Sequence, residues 1–169
     1  TSALEHDMDV TPLGYAKGVI PDMDQSEFKA DENLIKLAKD SAEEAGLDVV
    51  FMKALPTDKT VLSTVFQRMA DGNLADLILT TGGAGCGPED CTPEATMEVV
   101  DRPLLGIPEG MRAHMLTLTK RAMLNRAAAG IRGNVVIVNL PGKAGAVKEC
   151  LGYILPEVMH AVEVAQGIK

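Results

Sequence analysis

Residues 77–96 read LILTTGGAGCGPEDCTPEAT, a short apolar run that ends in a loop with four glycines, four threonines and three acids between residues 80 and 96. Leu77-Ile78-Leu79 reads as a strand running into the loop, the glycines mark a turn, and Pro93 followed by Glu94 starts a helix. Strand, glycine turn and helix in that order form one unit of an α/β fold.

The same alternation continues outward on both sides. Upstream, residues 31–45 place Leu34, Ile35, Leu37, Ala38, Ala42 and Ala45 on one face at helical spacing, with Gly46 positioned to end the helix. The segment LDVVFMKAL, residues 47–55, reads as a strand closed by Pro56. In residues 58–70, Val61, Leu62, Val65, Phe66 and Met69 repeat the helical period and Asp58 stands where a cap belongs. Downstream, a helical stretch is expected around residues 109–124, with Met111, Met115 and Met123 as core filler. The continuous apolar run from Asn134 to Leu140 is the strongest strand, and residues 144–165 form a last helix, or a pair broken near Pro156. The expectation is a three-layer α/β domain with a mainly parallel central sheet.

Composition narrows the function. A 169-residue chain with 46% hydrophobic and 24% charged residues fits one soluble domain, and no apolar run reaches the roughly 18 residues of a membrane span. The amino terminus TSALEHDMDV lacks a basic start followed by an apolar stretch, so the cytoplasm is the expected location. Three cysteines make an odd count, which suits a reducing compartment better than a disulfide framework. A net charge of −8 argues against a general nucleic-acid footprint, and 3% aromatics against base stacking. An anionic ligand would have to be held locally, by backbone N–H groups.

Two glycine-rich loops follow apolar strands, TTGGAGCGPEDCTPEAT and NLPGKAG, residues 139–145. Ligands of open α/β sheets bind beyond the carboxyl ends of the strands, where such loops lie. Glycine lets the backbone approach a phosphate, and Thr80, Thr81 and Thr92 add hydroxyl donors. Asp90 in the same loop brings a carboxylate next to phosphate, which points to Mg²⁺ between them and hence to a Mg-nucleotide site. The Walker A pattern is absent, and no suitably placed acid follows GGAGCG to read a ribose hydroxyl. Cys86 and Cys91 lack the further cysteine or histidine ligands of a zinc site and read as small loop residues, while Cys150 reads as core.

Thr80–Gly85, the run Asp90-Cys91-Thr92-Pro93-Glu94-Ala95-Thr96 and the later Asn139-Leu140-Pro141-Gly142 together resemble the MogA/MoaB-type proteins of molybdenum cofactor biosynthesis and the related G domains of gephyrin and its plant counterpart. Asp101-Arg102, GIPEGMR and Leu124-Asn125-Arg126 with AGIRG fall between them in the same order, and the resemblance extends over about residues 46–165. It implies a molybdopterin-binding domain over residues 1–169, with residues 1–30 atypical. There only Asp24 and Asp31 match the family's acids, and Asn33-Leu34 stands in place of its Ser-Gly.

The activity implied is adenylylation of molybdopterin with Mg²⁺ and ATP, releasing pyrophosphate. A homotrimer and a molybdate-inserting MoeA-type partner come with it. Carried over by position, Thr80, Thr81, Gly82, Gly83 and Gly85 would cradle phosphate or pterin, joined by Thr92, Pro93 and Glu94. Asn139, Pro141 and Gly142 would form the opposite wall; Lys143-Ala144 stands where the family commonly has Ser-Pro, and the lysine there either contacts an anionic ligand or is simply solvated. Asp90 would be the acid for Mg²⁺ and catalysis. Pro56-Thr57-Asp58 replaces an acidic pair of the family, so Asp58 either serves as the second Mg²⁺ and catalytic group or caps its helix. The alternative function is a catalytically impaired trimer that binds molybdopterin or nucleotide to store, deliver or sense the cofactor.

Overall fold

A computed structural model describes residues 36, 39, 40, 42–44 and 46–168 of the chain. The expectations for residues 1–30, and for Asp31, Asn33 and Leu34, lie outside the described residues. The described residues between 36 and 44 are helical, and the helix ends as Gly46 predicts. Gly46, at φ +82°, donates its N–H to Glu43 O, and Leu47 donates to Ala42 O.

The elements that follow are α1 (Lys59–Asp71), β1 (Leu77–Thr81), α2 (Thr92–Val99), β2 (Arg102–Pro103), α3 (Gly106–Leu118), a 3-10 helix (Lys120–Leu124), β3 (Ala129–Arg132), β4 (Val135–Leu140) and α4 (Ala144–Ala165). The strands lie in the order β1-β4-β3-β2. β1 runs parallel to β4, with Leu77 opposite Val136 and Thr81 opposite Leu140. β3 is antiparallel to both β4 and β2, so among the described residues the sheet is mixed. The β3–β4 hairpin was not legible as such; its tip is Gly133 at φ +56°, whose N–H is accepted by Asp101 and whose carbonyl is held by Arg102.

β4 is the centre of the fold because all its residues are buried. Period-two alternation sends Val136, Val138 and Leu140 to one face, where Met111, Val147, Leu151, Ile154 and Val158 of α3 and α4 cover them. Val135 and Ile137 face the other way, onto Leu62, Phe66 and Ala70 of α1 and Ala95 and Val99 of α2. The three layers expected from the alternation are therefore present. Cys150 is core, as expected, and burial pushes its thiol pKa up to about 11.

Three local expectations are corrected. Residues 47–55 are not part of the described sheet; Phe51 and Leu55 instead pack side-on against Val61 and Val65, so side chains rather than a ladder hold the segment. Pro156 does not break α4, which runs unbroken from Ala144 to Ala165. The carbonyl that a proline obstructs is four residues back, on Gly152, which is exposed. Met123 is 69% exposed on the 3-10 helix, whereas Met111 and Met115 are core as their spacing implies.

Candidate functional site

Because β1 and β4 are adjacent and parallel, their carboxyl ends open on the same edge of the sheet and their loops must meet there. Thr81 at the end of β1 donates its hydroxyl to Pro141 O at 2.9 Å. The two glycine turns touch backbone to backbone, since a Cβ on Gly142 would stand 3.1 Å from Gly82 Cα. Gly83 is the position that tolerates no side chain: at φ +64° its Cβ would fall 2.1 Å from Thr92 Oγ1, and its carbonyl accepts the Thr92 N–H. The loop therefore folds back onto the start of α2.

The amino end of α4 lies directly beyond these turns. Lys143, exposed, occupies its N-cap position and no side chain caps the helix. The first amide returned to the helix is Val147, to Lys143 O, so the amides of residues 144–146 stand before the first helical bond. A 22-residue helix starting here turns the positive end of its dipole toward the glycine turns.

Asp90 closes the loop on itself. Its Oδ2 accepts the Gly87 N–H at 2.7 Å, its own N–H goes to Gly87 O, and Oδ1 makes no hydrogen bond among the described residues. Arg126, arriving from the far side of the 3-10 helix, holds the same loop from outside. Its Nε donates to Gly85 O at 2.5 Å, its Nη2 to Asp90 O at 2.6 Å and its Nη1 to the Glu94 carboxylate, while its backbone N–H reaches Ala84 O. Partial burial raises the Glu94 carboxyl pKa, and the Arg126 guanidinium more than reverses this, leaving it below the usual carboxylate range. Glu94 thus serves the arginine, not open solvent.

Asp58 caps α1, accepting the Val61 N–H on Oδ1 at 2.9 Å, so the capping alternative is realised. It also sits by the loop. Burial raises the Cys91 thiol pKa, and the charges of Asp58, Glu94 and Asp90 add to that. Thr57 Cγ2 is 3.7 Å from the space a Cβ on Gly83 would take. No group of three or more His, Cys, Asp or Glu that could hold a metal ion is assembled among the described residues. Asp58 and Asp90 each spend one oxygen on a backbone N–H and keep the other, a donor set that fits Mg²⁺ only if substrate phosphates supply further ligands.

Three members of the binding set turn inward instead. Asn139 is fully buried: its Nδ2 donates to Thr80 Oγ1 at 3.0 Å and Thr96 Oγ1 at 2.8 Å, and its Oδ1 accepts the Ala128 N–H at 3.1 Å. It does not form a wall; strand parity puts it on the α2 side of β4, where it fixes Thr80. Thr92 and Pro93 are likewise buried in the first turn of α2. Thr80, Thr81, Gly82, Gly83, Gly85, Asp90, Pro141, Gly142 and Lys143 are the members brought to the loop edge. Arg126 was placed in order by the resemblance but given no role, because its partners lie 32 to 41 residues away and leave no local pattern.

Residues 26–160 match the family model described as the probable molybdopterin binding domain. Molybdopterin adenylyltransferase of Helicobacter pylori strain 26695 is 35% identical over 117 residues, 69% of this chain and 66% of the relative. The enzyme of that name from strain J99 is 41% identical over 100 residues, 59% of this chain and 57% of the relative. The chain thus spans less than two thirds of the length of these curated relatives. The crystal structure of the molybdopterin biosynthesis enzyme MoaB of Thermus thermophilus superposes with a TM-score of 0.75 at 35% identity, covering 85% of this chain and 89% of that one. With most of its length matched by the family model and its fold shared with MoaB, the chain belongs to the molybdopterin-binding family of molybdenum cofactor biosynthesis.

Proposed function

We propose that the chain is a molybdopterin adenylyltransferase, joining the terminal phosphate of molybdopterin to the adenylyl group of ATP. A phosphate oxygen of molybdopterin attacks the α-phosphorus of ATP. A new P–O bond forms, the bond to the β-phosphate oxygen breaks, and pyrophosphate leaves. The observation that carries this reading is the pair of touching glycine turns at one edge of a parallel strand pair, with Asp90 held inside the first of them.

Such a reaction joins two anions, so the protein's task is to hold both in line and offset their repulsion. The backbone at Gly82 and Gly83 and the uncapped start of α4 offer N–H dipoles, and Lys143 adds a charge at the rim. Asp90 and Asp58 would hold Mg²⁺ through their unspent oxygens. The metal would supply charge neutralisation between the phosphates. The names of the adenylyltransferase relatives support the substrate assignment. A cytoplasmic homotrimer that passes its product to a MoeA-type protein belongs to the same reading.

The test is pyrophosphate release from Mg-ATP with and without molybdopterin. Release that requires molybdopterin and falls at least about a hundredfold in Asp90→Asn supports adenylyl transfer. Tight molybdopterin binding with no release would overturn it in favour of a storage or delivery protein.

A further inference from the structure

We infer that Arg126 is the positioning residue that sets the geometry of Asp90, acting as an external clamp on residues 84–94. The inference rests on the adenylyl-transfer reading only for what the geometry is used for; the clamp itself is a property of the loop.

The loop has few other means of keeping its shape. Residues 82–91 form no helix or strand, and Cys86, Gly87, Pro88 and Glu89 are exposed. Inside the loop, Asp90 is held by its exchange with Gly87, and both partners belong to the segment they would have to fix. A reference from outside is needed, and Arg126 supplies it at both ends: Gly85 O before the bend and Asp90 O after it. Glu94, in the first turn of α2, binds the third guanidinium nitrogen and so ties the clamp to a helix. The Arg126 backbone N–H adds a fourth attachment at Ala84 O, where Ala84 is buried in the core.

A planar fork is required for this task. Three acceptors at three separate positions suit a guanidinium, whose donors are fixed relative to one another, and do not suit an ammonium on a flexible stem. The carboxylate that the clamp positions has one oxygen pinned by Gly87 and the other open, so a loosened clamp lets Asp90 swing while leaving its chemistry unchanged. Residues that orient a metal-holding carboxylate are expected to change metal affinity by 10- to 100-fold when removed, at roughly that order.

Two readouts separate the clamp from general destabilisation. The first does not involve activity. Cys86 lies within the clamped loop, is exposed, and donates Sγ to Leu124 O at 3.2 Å. Cys91 is half-buried and Cys150 buried, with raised thiol pKa values, so Cys86 reacts first with an aromatic disulfide reagent. In the full chain, Arg126→Ala is expected to speed Cys86 modification about fivefold and to speed amide exchange at residues 85–91 alone. Arg126→Lys, which keeps the charge without the fork, is expected to behave like Arg126→Ala; it also carries the comparison should the alanine variant not fold. The second readout is the Mg²⁺ dependence of pyrophosphate release: the half-saturating Mg²⁺ should rise about tenfold in Arg126→Lys while KM for molybdopterin stays within about twofold. Wild-type Cys86 reactivity and loop exchange in both variants would overturn the clamp, as would an unchanged Mg²⁺ dependence in a chain that is active. Absence of molybdopterin-dependent release from the wild type would instead overturn adenylyl transfer, and the Cys86 and exchange rates would still decide the clamp.

Discussion

Asn139 and Arg126 each tie down three partners around the same loop edge, in opposite surroundings. Asn139 is sealed at 0% exposure and joins Thr80, Thr96 and the Ala128 N–H. Arg126 is exposed and joins Gly85, Asp90 and Glu94. Water can replace each bond of the exposed knot, so its loss is read in loop geometry. Asn139 and Thr96 are both at 0% exposure, out of reach of water, and there a lost partner leaves a polar group stranded. The same number of contacts therefore supports stability in one place and positioning in the other.

The sharpest way to break this comparison is Asn139→Leu, which keeps the branched outline of the side chain and deletes the polar atoms. Two hydroxyls lose their donor and the Ala128 N–H loses its acceptor, at a cost of about 4 kcal/mol in urea denaturation, or a Tm lower by about 10 °C. A loss below about 1 kcal/mol would mean that the buried knot relaxes as easily as a wet one. Gly83→Ala comes next, at about 2–3 kcal/mol, because a methyl group at φ +64° is strained and meets Thr92 Oγ1. Pairing it with Thr92→Ala removes the clash but not the strained φ. The double variant should be more stable than the sum of the two single losses by about 1 kcal/mol, a coupling that a thermodynamic cycle measures directly.

Local signals are what made the scaffold legible. α1 could be read because Asp58 and the apolar residues from Val61 to Met69 lie within one helix, and β4 because a strand covered on both faces is apolar throughout. The loop edge could be read because two glycine runs follow two apolar strands. β3 could not: Ala-Gly-Ile-Arg is a poor strand by composition, and Gly130 is there because a Cβ would come within 2.7 Å of Val100 Cγ1, a contact made across 30 residues of chain. Arg126 was illegible for the same reason, its partners being distant in sequence. Asn139 was misread in its role because NLPG shows where the residue stands in the chain and not which face of β4 it occupies. Side-chain direction on a buried strand is fixed by what packs on each face, and that is decided by the whole layer.

Asp58 and Asp71 sharpen the wet side of the comparison. Asp58→Ala removes the cap of α1 and should cost about 1 kcal/mol, whereas Asp58→Asn keeps an acceptor oxygen and should stay within about 0.3 kcal/mol. Any larger loss of pyrophosphate release in Asp58→Asn would then report the charge rather than the cap. Asp71 gives the smallest effect and the cleanest sign. Arg132 on β3 grips it with Nε and Nη2 at 2.7 and 2.9 Å while Nη1 donates to Val99 O, so the end of α1 and the end of α2 are fastened to the sheet by one side chain. Those hydrogen bonds hold the Asp71 carboxyl below its ordinary range. A depressed carboxylate contributes stability above its unfolded pKa and loses it as pH falls through the folded one. Half-exposed, the pair is worth about 0.5 kcal/mol. Asp71→Asn should therefore lower urea stability by that amount at pH 7 and match the wild type once the medium is acid enough to protonate the carboxyl in the folded state. A difference that persisted unchanged into acid would assign the contribution to Asp71's neutral hydrogen bonding and place this exposed contact with Asn139 rather than with Arg126.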